Sequence, residues 1–374
     1  MRRVRVRLLS ALVAALVWFA PLRAVDVLPD RLADDAFWGL IGTLSEPGGV
    51  FQSENFLSNE TGFQVVIPTL TQTTRPGGVY MGVGPEQNFT YIVALRPKMA
   101  FVVDIRRQNL LEHMLYKALF EMSDNRADFL SRLFSRKRPE GLSARSTVDQ
   151  LFRAYADAPV DADAFRKNLQ TINELLIRTH KFGLTSEDES TIEHIYTVFH
   201  DFGPDINYNS GAGRRGGNGM PDYATLMTAT DLLGEQRSYL ATEENYRFIR
   251  DLEGRNLVVP LTGDFGGKKA IRAVGQYVKD HDATVSAFYL SNVERYLFQS
   301  NGLNRNGGWT NFYGNVATLP LDSSSTFIRS VGGGVPGGLG GMRLPNVLSS
   351  MQDTLAAVES GRIQTYNDVV SISR

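Results

Sequence analysis

The 374-residue chain contains no cysteine, which excludes disulfides, thiolate metal sites and a cysteine nucleophile. That absence is compatible with an oxidising compartment without requiring one. Histidine is scarce: His113, His180, His194, His200 and His281 are all there are, and none has metal-ligand spacing. His194 and His200 stand six apart, so on a helix they do not share a face. A GxSxG elbow, an HExxH pair and a P-loop lysine are also missing, which argues against a serine hydrolase, a zinc protease and a nucleoside triphosphatase. Charge of one sign is not in excess either, the formal net charge being −1.

The first residues have their own chemistry. Arg2, Arg3, Arg5 and Arg7 form a positive stretch ahead of the apolar run Leu8–Leu22, and Leu22-Arg23-Ala24 offers a small residue for cleavage. A spanning helix needs about 20 apolar residues. This run is shorter and contains Pro21, so residues 1–24 are expected to be a secretory signal peptide and the mature chain to be exported, periplasmic or extracellular. If the segment is misassigned, the protein is cytoplasmic. Membrane contact is expected only through that segment. Removing its five arginines takes the net charge from −1 to −6, and no nucleic-acid partner is expected of such a chain.

Past the leader, residues 25–76 are expected to hold a helix, Leu32–Leu44, and then a loop lying across the mouth of a ligand cleft. Glu46, Ser53, Glu54, Asn55, Asn59 and Glu60 give this loop its polar density, read first as helix caps and Asx-turns. Residues 77–124 read as strand, glycine turn, helix, acid-tipped strand, helix. Residues 125–220 are helical and charged, an insertion ending in the glycine- and asparagine-rich loop Phe202–Met220, where Arg214 and Arg215 could hold an anion. Residues 221–331 return to alternation: a helix over Glu235–Leu252, the apolar strand Asn256–Leu261, a helix over Lys268–Lys279, the strand Ala283–Leu290 and a helix over Val293–Phe298. Asn311–Leu321 and Ser325–Val331 are expected to supply final strands. In 332–374 a flexible Gly332–Gly341 stretch precedes a helix over Asn346–Glu359. Uninterrupted apolar strands alternating with helices imply a parallel sheet with right-handed crossovers.

The 77–124 block carries the ligand signal. Gly82 and Gly84 remove the Cβ atoms that would keep a ligand from the turn after Val79–Val83. Pro85 suits the first turn of a helix that Pro97 ends, and Asp104 stands at the end of the Met99–Val103 strand. An acid about 20 residues after a glycine turn is placed to accept hydrogen bonds from ribose hydroxyls. The fold class expected is therefore α/β, Rossmann-like, with a mostly parallel sheet, helices on both faces and a helical insertion. Its partner is a small, nucleotide-type molecule. Asp264, Ser291, Asn292 and Glu294 follow two later strands and would converge on the same rim as Gly82, Gly84, Glu86 and Asp104.

With those residues in order, the chain resembles a Class I S-adenosylmethionine-dependent methyltransferase. The stretches GVGPEQNFTYI, VVDIRRQN, LTGDFGG and FYLSNVERYLF also make the segment from about Asp34 to Ser330 look like an uncharacterised bacterial family described as methyltransferase-like. The resemblance implies that Gly82 and Gly84 hold the methionine portion of S-adenosylmethionine, Asp104 the ribose and Asp264 the adenine edge. Ser291 and Asn292, with Glu294, would face the substrate. Tyr80 stands where the family commonly has an acid, and Glu86 replaces the third glycine. Glu86 either complements the helix dipole or meets the ligand's ammonium group. Asp104 and Asp264 could instead cap helices.

Two functions follow: a methyltransferase acting on an unspecified acceptor, or an exported binding or structural protein that keeps the fold without the reaction. The signal reading is checked by fractionation and N-terminal sequencing. The expected mature chain begins near Val25 outside the cytoplasm, and intact Met1 in the soluble cytoplasm contradicts it.

Overall fold

A computed structural model of the chain describes residues 27–213, 219–299, 308–332 and 345–373. The expected signal segment 1–24, Arg214 and Arg215, and residues 333–341 of the glycine-rich stretch lie outside those residues. The described strands form one sheet: β1 (Val79–Gly82), β2 (Met99–Asp104), β3 (Val258–Thr262), β4 (Val285–Ser291), β5 (Thr326–Ser330) and β6 (Asn346–Ser350). Their order is β3-β2-β1-β4-β5-β6. Every neighbouring pair is parallel except β5 and β6.

The four apolar runs picked out in the sequence are β1 to β4. All residues of β1, β2 and β3 are buried, so both faces of the sheet are covered, and strands in that position carry no polar alternation. Val79 of β1 pairs with Met99 on one side and Val285 on the other. From β1 the chain builds outward through β2 and β3, then returns to add β4, β5 and β6 on the opposite edge. The winding therefore reverses between β1 and β4, where a parallel sheet opens a crevice beyond its carboxyl ends.

The connection from β2 to β3 is helical throughout its regular elements. It opens with the Arg107–Met122 helix, which packs on β2 and β3 and against the Ser186–Phe202 and Glu243–Gly254 helices. This first helix is buried without a break from Asn109 to Phe120, as a helix enclosed on all sides must be. Side-chain caps mark the starts of the others: Thr147 and Gln150 form a capping box ahead of Val148–Ala156, and Thr185 and Asp188 form one ahead of Ser186–Phe202. Among the described residues no helix is long and apolar enough to cross a membrane.

Three expected elements differ from those observed. Asn311–Leu321 is not a strand, because Gly308–Val316 is a helix. Trp309, Phe312, Tyr313 and Val316 recur at helical spacing, and the last three are buried. Asn346–Glu359 is not one helix. Its first five residues pair antiparallel with β5, and Ser350 then caps the Met351–Glu359 helix by accepting from the Asp353 amide. The helix expected over Glu235–Leu252 spans Glu243–Gly254, its start set by Thr242, whose side chain accepts from the Asn245 amide.

β5 also carries a fully buried arginine. Arg329 Nε donates to Glu294 Oε2 at 2.5 Å, and the Tyr313 hydroxyl donates to Glu294 Oε1 at 2.5 Å. Arg329 and Glu294 side chains are 1% and 2% exposed, so removing either leaves the other as a buried charge without its ion-pair partner, held by hydroxyls such as Tyr313 for Glu294 and Ser349 for Arg329. Glu294→Ala is expected to lower unfolding free energy by about 3–5 kcal/mol in chemical denaturation. A loss under about 1 kcal/mol would show that the pair is not what holds these elements together.

Candidate functional site at the strand ends

The turn after β1 is tied down chiefly by one side chain. Asn88 Nδ2 donates to the carbonyls of Val83 and Gly84 at 3.0 Å and of Pro85 at 2.7 Å, while its Oδ1 accepts from the Tyr80 hydroxyl at 2.9 Å. Gly82 makes room for this arrangement, because a Cβ there would fall 1.9 Å from Asn88 Oδ1. Gly84 answers a different need. Its φ is +77° with open space where a Cβ would stand, so the constraint is backbone conformation, which a side chain would strain. The two glycines expected to share one role have separate ones.

Beyond the turn is a cavity of about 160 Å³ at the carboxyl ends of β1 to β4. Gly84 and Pro85 reach it from β1, Asp104 and Arg106 from β2, Asp264 and Phe265 from β3, and Tyr289, Ser291 and Asn292 from β4. Phe51, Asn55, Ser58 and Glu60 line it from the segment before β1, and Tyr208 from the long loop beyond the Ser186–Phe202 helix. Of the expected site residues, Gly84, Asp104, Asp264, Ser291 and Asn292 meet here. Gly82, Glu86 and Glu294 are not among the lining residues, and Glu294 is engaged by Arg329 and Tyr313 instead of facing a substrate.

The charged groups in the wall are held in three ways. Asp104 is gripped by Arg106, with Nε donating to Oδ1 and Nη2 to Oδ2, both at 3.0 Å. The same guanidinium donates to the backbone carbonyl of Glu54, so the pair also anchors the covering segment. Asp264 Oδ1 accepts from the Gly266 amide at 2.9 Å, and its own amide donates to Glu46 Oε1 at 2.9 Å. Glu60 has no basic partner among the described residues. Its Oε1 accepts from the hydroxyls of Tyr289 at 2.9 Å and Ser291 at 2.5 Å, and its Oε2 from Gln87 Nε2 at 2.8 Å and Asn346 Nδ2 at 2.9 Å. Burial pushes its pKa up, and these four hydrogen bonds pull against it.

Sequence reading placed Glu60 in the polar loop across the cleft but gave it no site role. Its one local sign was the polar density of the loop around it, and its partners come from the helix after β1, from β4 and from β6. Ser291 presents its hydroxyl from a left-handed backbone, φ +49°, unusual for a residue with a side chain.

A second set of acids lies behind the turn. Glu86 and Glu112 are fully buried, and among the described residues none of their four carboxyl oxygens has a hydrogen-bond partner of good geometry. Burial raises Glu86 to about 8. It raises Glu112 well above the usual range, with Glu86 and Asp104 adding repulsion and Arg106 opposing it. Glu86 is therefore largely a neutral acid at pH 7. His113, lowered to about 4 chiefly by burial, is neutral too and contacts the Gly84 carbonyl through Nε2 at 2.9 Å. Among the described residues no cluster of three or more acidic, histidine or cysteine side chains is arranged to hold a metal ion.

Fold and cavity together define an α/β protein with a ligand-sized pocket at the point where its mostly parallel sheet reverses winding. The chain belongs to the DUF7790 family, described as a domain of unknown function, whose sequence model matches residues 55–340. No curated protein matches the sequence.

Glu86 sets a pH dependence. Glu86 is protonated in the fold up to about pH 8 but ionises near 4.5 when exposed. Between those values the unfolded chain binds fewer protons, so this contribution is complete at acid pH and is lost as pH rises, at about 1.4 kcal/mol per pH unit. Glu86→Gln removes that slope while keeping the shape. Denaturation midpoints from pH 5 to pH 8 (about the range of ordinary buffers,) are expected to fall less steeply for the variant, and parallel curves would contradict the assignment.

Proposed function

We propose that this cavity binds a nucleoside-type ligand on a Rossmann-like sheet and that the ligand is S-adenosylmethionine, as in a methyltransferase whose acceptor is unspecified. The observation that carries the reading is convergence. Gly84, Asp104, Asp264 and the Ser291-Asn292 pair come from four successive parallel strand ends to one cavity at the winding reversal, the place where open α/β sheets bind nucleotide-type ligands.

The residues present suit this ligand better than a phosphorylated nucleotide. Among the described residues Arg106 is the one basic residue in the lining, and both of its forks are spent on Asp104 and the covering backbone. Among those lining residues a pyrophosphate would find no free cation and would face Glu60 and Asp264. In this reading Gly84 gives the ligand close access to the backbone, Asp104 shares its remaining lone pairs with the ribose, and Asp264 faces the adenine edge. Asn55 adds a buried Oδ1 that has no partner among the described residues. When bound, S-adenosylmethionine supplies a transferable methyl group, and Ser291 and Asn292 lie on the acceptor side. Because transfer needs chiefly proximity and alignment, the lack of a catalytic triad is no obstacle.

One observation favours the second reading, a binding protein without transfer activity. Arg106 already occupies both oxygens of Asp104, and it thereby competes with a ribose.

Calorimetric titration of the full chain with S-adenosylmethionine and S-adenosylhomocysteine, with a nicotinamide dinucleotide as control, tests the proposal. Binding of the first two and not the third is expected. Asp104→Asn is expected to weaken binding about ten- to hundredfold by loss of a charge-assisted acceptor. Melting temperature, measured alongside, reports the separate loss of the Arg106 clamp. No binding by the parent chain refutes the ligand, and binding without methyl transfer to any acceptor class supports the second reading.

A further inference from the structure

Glu60 carries a peculiarity that the ligand reading does not use. A carboxylate has about four acceptor positions, and here all four are filled: two by hydroxyls of β4 and two by side-chain amides from the helix after β1 and from β6. All the donors are neutral. Turning both amide nitrogens towards Glu60 leaves Gln87 Oε1 and Asn346 Oδ1 buried without partners among the described residues. Each such oxygen costs about 1–3 kcal/mol. Four donors aimed at one carboxyl group match its ionised form, which accepts at every position.

What Glu60 offers a bound molecule is therefore charge without a vacant acceptor. An ammonium with N–H bonds would bring donors that find no lone pair there. A phosphate would be repelled. A cation with no hydrogen to donate fits, and the rest of the wall suits it: Phe51, Tyr208, Phe265, Tyr289 and Tyr296 line the same cavity, and aromatic rings attract such cations and pack against their carbon substituents.

We infer that Glu60 makes this cavity selective for an onium cation, a sulfonium or a quaternary ammonium group. The inference rests on the reading of this cavity as the ligand site. It assigns to Glu60 the discrimination between S-adenosylmethionine, which carries a sulfonium, and S-adenosylhomocysteine, which differs by the methyl group and that charge.

The parent chain is titrated with S-adenosylmethionine, S-adenosylhomocysteine and choline, and the Glu60→Gln variant with the same three. In the parent, S-adenosylmethionine is expected to bind at least about tenfold more tightly than S-adenosylhomocysteine, the equivalent of 1.4 kcal/mol. In Glu60→Gln the preference is expected to fall towards one, through loss of the charged ligand's affinity. Should that variant fail to fold, Tyr289→Phe keeps the charge and removes one hydrogen bond, and it is expected to keep the preference. Equal or tighter binding of S-adenosylhomocysteine by the parent overturns the inference and leaves the proposed ligand standing. Choline binding without either nucleoside does the reverse. Binding of none of the three overturns both.

Discussion

The winding reversal at β1 is the constraint from which the site follows. A parallel strand needs a crossover to reach its neighbour, and β1 has neighbours on both sides, β2 directly and β4 after the whole helical connection and β3 have been built. Chain leaving β1 and chain leaving β4 must then diverge, so the sheet cannot close over its own carboxyl edge there. The segment before β1 crosses that opening. It is fastened by the Arg106 guanidinium through the Glu54 carbonyl and by Glu54 Oε1, which accepts from Gln108 Nε2 at 3.0 Å and contacts His194 Nε2 at 2.9 Å.

Around this opening the protein solves the burial of acids in three different ways. Asp104, like Glu294 further along, has an arginine. Glu60 has four neutral donors at the cavity wall. Glu86 and Glu112 have neither, and burial shifts both towards the protonated form. An acid matched by arginine contributes geometry, one matched by dipoles contributes field, and a protonated one contributes sensitivity to pH. The three kinds lie within one neighbourhood, since Glu86 acts electrostatically on Glu112 and is itself acted on by Glu60.

The sheet was legible where its strands are covered on both faces. Val79–Gly82, Met99–Asp104, Val258–Thr262 and Val285–Ser291 announce themselves as apolar runs, and the acid or polar tip of each follows from where the run stops. β6 did not, because Asn346–Ser350 is a short strand running straight into a capped helix, and the helical period of the second masks the first. Gly308–Val316 was misread for a related reason: its aromatic residues have strand propensity, and only their spacing decides. Asp104 could be placed from the sequence but its partner could not, since an arginine two residues on has several rotamers and only the packed covering segment selects one. Glu60 was beyond local inference. Its donors stand 27, 229, 231 and 286 residues away, and no periodicity connects them.

The span from Glu60 to Asn346 has a consequence for the order of events as the chain is made. Synthesis at about 5–20 residues per second lets earlier segments fold first, and β1 and β2 can pair as soon as both have emerged. The wall around Glu60 cannot be complete until β6 has joined the sheet. During that interval the carboxyl group has only some of its donors. Arrival of Asn346 then closes the ring, so the last partner to reach this wall comes from the last described strand of the sheet.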